Sequence, residues 1–232
     1  MRYWTWGEIR AKIERELDLE DEDFVRAEEL LEYANEAIDE AESEIHTLYE
    51  DYFLKSADIP VVALDETFSI PTYLPDIYGD KIRRIIFQTS GAATTYTVNR
   101  LKDWKKFEFK AVADTGTTTD LYQYMLVNQT AGLPQIMLVP VSRESGTLKV
   151  WYLRNANRLS VDADVCDIPE FVNFIFAHMK VKVMGKEGNP GYPAALERLE
   201  AERARMTSTL SARTPDADNE IELDTSAYEE MS

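Results

Sequence analysis

Two histidines and one cysteine are the nucleophile and metal-ligand candidates in a chain otherwise rich in carboxylates. Cys166 and His178 could form a thiolate–imidazole pair, the imidazole taking the thiol proton. Such a pair needs a third group to orient the base and donors for an oxyanion, and neither stands at recognisable spacing. Cys166 therefore reads as a small residue at the edge of the core. Asp162, Asp164 and Asp167 look calcium-like, but the loop lacks the turn glycine and runs straight into Pro169. They read as an Asp-rich turn, with Asp167 capping the next helix. Glu20 to Asp23 also lacks ordered ligand spacing and reads as a solvated cap at a helix N-terminus. Neither His46 nor His178 sits in a Cys/His cluster, and no phosphate loop or dinucleotide fingerprint occurs. The expectation is a non-enzyme with no catalytic residue, metal or cofactor.

One basic–aromatic cluster stands out. Lys102 to Lys110 sets Trp104, Phe107 and Phe109 among Lys105, Lys106 and Lys110. Such a cluster could stack single-stranded nucleic acid. The net charge of −18 opposes that, since phosphates are repelled by most of such a surface. The preferred reading packs the aromatics inward. Lys105, Lys106 and Lys110 then face water or an acidic neighbour.

The acid is unevenly spread. Residues 14–51 carry almost all of the excess, with Arg15 and Arg26 the only Lys or Arg among them. From Asp216 onward the chain is again acidic, without Lys or Arg. The N-terminus lacks the apolar core of a signal peptide. No apolar run approaches the roughly 18 residues of a membrane span, so a soluble protein is expected, with no membrane partner. A single cysteine fits a reducing compartment.

Among the elements that must position these residues, the first to read is a long helix over Asp23 to about Ser56. Its apolar positions are Phe24, Ala27, Leu31, Ala34, Ile38, Ala41, Ile45, Leu48 and Tyr52, stepping three, four, three, four. Such a helix would be roughly 50 Å long. Its Ala-rich seam favours an intramolecular antiparallel bundle over a self-pairing coiled coil. Before it, Thr5-Trp6-Gly7-Glu8 is a capping box opening a helix to about Leu17.

From Ile59 the period changes to that of strands, over about 59–160. Ser142 to Gly146 reads as a hairpin loop joining two strands, with Gly146 left-handed. Asp167-Ile168-Pro169-Glu170 starts a helix, Gly185 to Gly191 turns the chain, and a last helix runs over about Tyr192–Ala212. From Thr214 the composition predicts disorder in isolation, with Ile221, Leu223 and Tyr228 spaced to dock on a partner. The expected fold class is α+β. A helical bundle, made of the long N-terminal helix and two C-terminal helices, carries an inserted antiparallel β-sandwich or barrel-like domain and a flexible acidic tail. The expected segments are 1–58, 59–165, 166–212 and 213–232.

This order of parts resembles the head-to-tail adaptor proteins of tailed bacteriophages, the tail-tubular or gatekeeper-like ring proteins bound under the portal. The likeness is most specific over Gln135–Glu170. Ile136-Met137-Leu138-Val139-Pro140 leads to Gly146-Thr147-Leu148-Lys149-Val150-Trp151-Tyr152-Leu153-Arg154, then Leu159-Ser160-Val161-Asp162 and Asp167-Ile168-Pro169-Glu170. Phe68-Ser69-Ile70-Pro71 and Ala34-Asn35-Glu36-Ala37-Ile38 are similar to earlier family segments, so the match runs over about residues 5–210. The resemblance implies a homo-oligomeric ring, commonly about twelve-fold, at the head–tail junction of the virion and assembled in the host cytoplasm. The portal protein lies above it, a tail or nozzle protein below, and DNA passes through without specific binding. It makes Ile221, Leu223 and Tyr228 the expected portal anchors, and Trp104, Lys105, Lys106 and Lys110 an expected contact with a neighbouring subunit or the next tail protein. The rival readings are a small acidic binding module and a hydrolase built on Cys166 and His178.

Overall fold

The computed structural model describes residues 2–19, 24–91, 95–101, 122–130 and 133–213. In chain order these form α1 (Trp6–Leu17), α2 (Ala27–Leu48), β1 (Leu54–Val61), β2 (Thr67–Ser69), α3 (Ile70–Tyr73), β3 (Ile77–Thr89), β4 (Thr95–Arg100), β5 (Gln123–Thr130), β6 (Leu133–Val139), β7 (Gly146–Arg154), α4 (Val172–Glu187) and α5 (Tyr192–Ser211). The fold is mixed α and β, in two compact units. One comprises Met1–Tyr52 with Ala156–Ser232, the other Phe53–Asn155.

The helical unit opens with the capping box expected from Thr5 and Glu8. The Glu8 N–H donates to Thr5 Oγ1 at 3.3 Å, and the Thr5 N–H donates to Glu8 Oε2 at 3.1 Å. α1 buries Trp6, Ile9 and Ile13. α2 is shorter than its apolar repeat predicts, ending at Leu48 instead of near Ser56. Tyr49 leaves helical geometry, Glu50–Phe53 tightens into a 3-10 turn, and Leu54 is already paired with Leu153 in the sheet. Its 22 residues span about 33 Å, not 50.

The seam also differs at its N-terminal end. Leu30 is buried where Leu31 was expected, and Phe24 is 44% exposed. An α-helix turns every 3.6 residues, so a 3.5-residue repeat drifts around its surface. The buried stripe becomes Leu30, Ala34, Ala37, Ile38, Ala41 and Ile45. α2 packs on α4 and α5, and α4 packs on α1 and α5. α4 ends at Gly188, left-handed at φ 66°, a conformation open to glycine at no steric cost.

The other unit is a single curled sheet of seven strands, a half-barrel, ordered β1-β7-β3-β4-β5-β6-β2. It is mixed, not purely antiparallel. β4 and β5 pair parallel through Asn99–Arg100 and Gln123–Tyr124. The expected hairpin over Ser142–Gly146 is absent, because β6 and β7 are not neighbours: β7 lies between β1 and β3. Gly146 is not left-handed either. Glycine is needed there for space, since a Cβ would collide with the Gln88 carbonyl oxygen and press on the Phe87 ring at 2.8 Å. The core of the unit lies on the face carrying Ile59, Ile85, Phe87, Leu148, Val150 and Tyr152. α3 adds Ile70 and, at its end, Leu74, so Ser69-Ile70-Pro71 turns into a helix where a strand was expected.

Candidate functional site

The residues expected to make contacts, Trp104, Lys105, Lys106, Lys110, Ile221, Leu223 and Tyr228, all lie outside the described residues. The chemistry-bearing residues inside them serve the helical unit. Cys166 is fully buried, and burial pushes its thiol up to about 11. Its N–H donates to the Trp4 carbonyl, in an extended segment that also bridges Thr5 to Val165. His178 Nε2 faces Glu40 Oε2 at 3.5 Å, and burial, with Lys182 nearby, lowers its pKa. A thiol held neutral and an imidazole turned to a carboxylate do not make an activated nucleophile.

The Asp-rich loop is held by its own backbone. Asp164 Oδ2 accepts from the N–H of Ser160 at 2.6 Å, the N–H of Val161 at 2.8 Å and the Ser160 hydroxyl at 2.7 Å. Those donors hold the Asp164 carboxyl below its ordinary range. Asp162 pairs with Arg10 at 3.0 Å. Asp167 Oδ2 accepts from the Asn157 N–H at 3.0 Å. The helix opens through a 3-10 turn at Pro169–Phe171, whose N-cap Ile168 has no side-chain cap bond, so the expected Asp167 cap is replaced by a loop contact. No group of carboxylate, His and Cys ligands fit to hold a metal ion occurs among the described residues.

The acid of α2 has two structural uses. One stripe meets cations returning on α4 and α5. Lys186 bonds Glu29 at 2.7 Å, Lys182 bonds Glu36 at 2.7 Å, and Arg203 bonds both Glu40 and Glu44. The Lys186 bond, with the Arg26 N–H, holds the Glu29 carboxyl below its ordinary range. A second stripe, Asn35, Asp39 and Glu42, grips residues 156–159. The Asn35 amide donates to the Leu159 carbonyl at 3.0 Å and accepts from the Leu159 N–H at 2.9 Å. Glu42 Oε1 accepts from the Ala156 N–H at 2.8 Å, and Asp39 pairs with Arg158 at 2.5 Å. Much of the acid concentrated over residues 14–51 is the negative half of a set of ion pairs, each worth little where exposed.

The half-barrel has its own charged centre and one open surface. Asp76 receives the Tyr152 hydroxyl at 2.7 Å and Lys55 Nζ at 2.7 Å. Burial opposes ionisation of Asp76, yet those two bonds prevail and keep its carboxyl below the ordinary value. On the opposite face, Trp151 stands between two cations. Lys149 Nζ lies 5.5 Å and Arg84 Cζ 5.9 Å from its ring centre. Neither cation has an ion-pair partner among the described residues. The alternation Lys149-Val150-Trp151 announces two outward residues on one strand. Arg84 joins them only through the β3–β7 register. Compared with models of known protein families and with curated protein sequences, the chain matches none.

Proposed function

We propose that this protein is an adaptor whose copies close into a ring between the portal and the tail of a tailed bacteriophage, with DNA passing through the ring. The observation that carries the reading is the order of parts. A helical unit is interrupted once, between Tyr52 and Ala156, by a sheet unit. The strand just before Pro140, the strand ending Trp151-Tyr152-Leu153-Arg154 and the Ile168-Pro169-Glu170 helix start follow in the family's order. In this reading α1, α2, α4 and α5 form the bundle and the half-barrel is its insertion. The acidic segment after Arg213 is the linking element, and Ile221, Leu223 and Tyr228 dock on the portal. The ion-paired α2 stripe supports a scaffold role, since its carboxylates are engaged in holding helices together.

The test is to mix the protein with portal rings of the same genome and look for co-sedimentation and a second stacked ring by electron microscopy. A stacked ring is the expected result. A lone monomer that leaves the portal bare would overturn the reading in favour of an acidic, non-enzymatic binding module.

A further inference from the structure

Leu64 combines two features that cost stability. Among the described residues it is the most exposed large apolar side chain, at 72%. Its backbone is also left-handed, at φ 75°. A residue with a Cβ is crowded there by its own carbonyl, and bulky residues rarely adopt the conformation. The other described non-glycine residue with positive φ, Asp18, closes α1 as its C-cap.

The turn that imposes this conformation is firmly held. The Asp65 N–H donates to the Val62 carbonyl at 3.0 Å, and the Val62 N–H donates to Asp65 Oδ2 at 3.1 Å. The Leu64 N–H donates to the Ser142 carbonyl at 2.7 Å, and the Ala63 N–H donates to Ser145 Oγ at 3.2 Å. The left-handed third position of such a turn suits glycine or asparagine. Here it holds leucine, with Val62, 62% exposed, close by. Strain kept at a fixed, solvent-facing apolar tip points to a contact made outside the chain.

The surroundings of the tip are acidic. Asp65, Glu66 and Glu144 are exposed there, against one cation, Arg143. A surface of opposite sign stands on the outward face of the same sheet. Trp151 lies half-buried between Lys149 and Arg84, with Ile86 in register beside Lys149. The exceptions, Arg143 at the tip and Asp58 across from Lys149, are themselves opposite in sign. Outside residues 53–155 carboxylates far outnumber lysines and arginines, so the rest of the chain repels the tip. A tip cannot reach the face of its own copy. Gly146, paired with Val61 beside the turn, stands about 17 Å along β7 from Trp151, and the turn is fixed.

We infer that the Val62–Asp65 turn of one copy docks on the Lys149, Trp151 and Arg84 face of a neighbouring copy. Val62 and Leu64 lie against Trp151 and Ile86, and the carboxylates around them meet Lys149 and Arg84. The occupant is a second copy because this chain carries both complementary surfaces. A turn already held in shape loses little freedom on docking. Tip and face are different surfaces, so the contact is head-to-tail, and repeated with rotation it closes into a ring. The inference rests on the ring reading and supplies one of its subunit contacts.

Photocross-linking of the full-length protein tests it. The probe is Val62→p-benzoylphenylalanine, which leaves Leu64 in place, and the control is Leu196→p-benzoylphenylalanine on α5. Isotope-labelled and unlabelled copies are mixed, alone and on portal rings, irradiated, and mapped by mass spectrometry. The expected result is a cross-link between copies onto peptides holding residues 84–86 or 149–151, made by the probe and not by the control. Leu64→Asn suits the left-handed turn, so it should keep or raise the melting temperature while weakening self-association about tenfold. Lys149→Glu with Arg84→Glu should weaken self-association about fivefold, more at low salt, and adding Glu66→Lys with Glu144→Lys should restore it. No cross-link between copies overturns the inference, as does one onto the portal or onto another part of the neighbour. So does a fall in the melting temperature of Leu64→Asn, which would show that the leucine serves its own fold. Stacking on the portal is read separately. A stacked ring without this cross-link removes the contact and leaves the adaptor; the cross-link without stacking does the reverse.

Discussion

Replacing Asn35 with alanine should loosen the segment that carries the chain back into the helical unit. The Asn35 amide makes two bonds to one residue, donating to the Leu159 carbonyl and accepting from its N–H. Leu159 is 3% exposed, so water does not readily replace either bond. A typical bond contributes about 1 kcal/mol net, and a buried group left unpaired costs about 1–3 kcal/mol. Losing both bonds should therefore destabilise the helical unit by about 2–3 kcal/mol. Asn35→Asp should be no gentler, because it keeps the acceptor but sets a carboxylate oxygen against the Leu159 carbonyl. The assay is urea unfolding followed by far-UV circular dichroism, with amide exchange at Leu159. Protection of that amide should fall about 30-fold or more for a loss of about 2 kcal/mol. A shift below about 0.5 kcal/mol with unchanged exchange at Leu159 would refute the reasoning. The segment would then be held by its other contacts, among them Ala156–Glu42 and Arg158–Asp39.

Gly146→Ala should cost about 2–3 kcal/mol by overpacking against Gln88 and Phe87, and Gly146→Asn should not rescue it, because the need is space and not a left-handed backbone; equal melting temperatures for wild type and the alanine variant would contradict this. The folded Asp76 carboxyl lies below its ordinary 3.8, so its contribution is present above that pH and is lost as pH falls through the folded value. The stability gap between wild type and Asp76→Asn should therefore narrow from pH 7 to pH 3, and urea midpoints that differ equally at both would oppose it. Cys166, with its thiol near 11, holds about one part in a thousand as thiolate at pH 8. It should resist maleimide in the native state and label fully in urea, and fast native labelling would show that the site opens.

The starts of α1 and α5 were legible from the residues alone. Thr5 and Glu8 cap α1 because a capping box is local chemistry, complete within four residues. α5 over Tyr192–Ser211 was legible as well, but the turn expected from Gly185 begins only at Gly188, because α4 continues through Gly185 to Glu187. Asp167 failed as a cap because a competing donor, the Asn157 N–H, comes from another part of the loop. The extent of α2 failed for a similar reason. Its heptad repeat continues past Leu48, but pairing of Leu54 with Leu153 takes the backbone into the sheet. The strands were legible one by one, their neighbours were not, and the β6–β7 hairpin gave way to β7 between β1 and β3.

By itself the amino-acid sequence determined the class, the succession of helices around a run of strands, the uneven acid, and the lack of a recognisable catalytic motif. These follow from composition and from short periodic patterns, which act over a few residues. Only the tertiary structure decided which charges meet. In the sequence Glu29, Glu36, Glu40 and Glu44 are only part of an acidic excess, and the fold brings Lys186, Lys182 and Arg203 back on α4 and α5 to pair with them. Trp151 reads as one more strand aromatic until register sets Arg84 beside it. Charge pairing and strand neighbours depend on residues far apart in the chain, and only the packed core brings them within reach of one another.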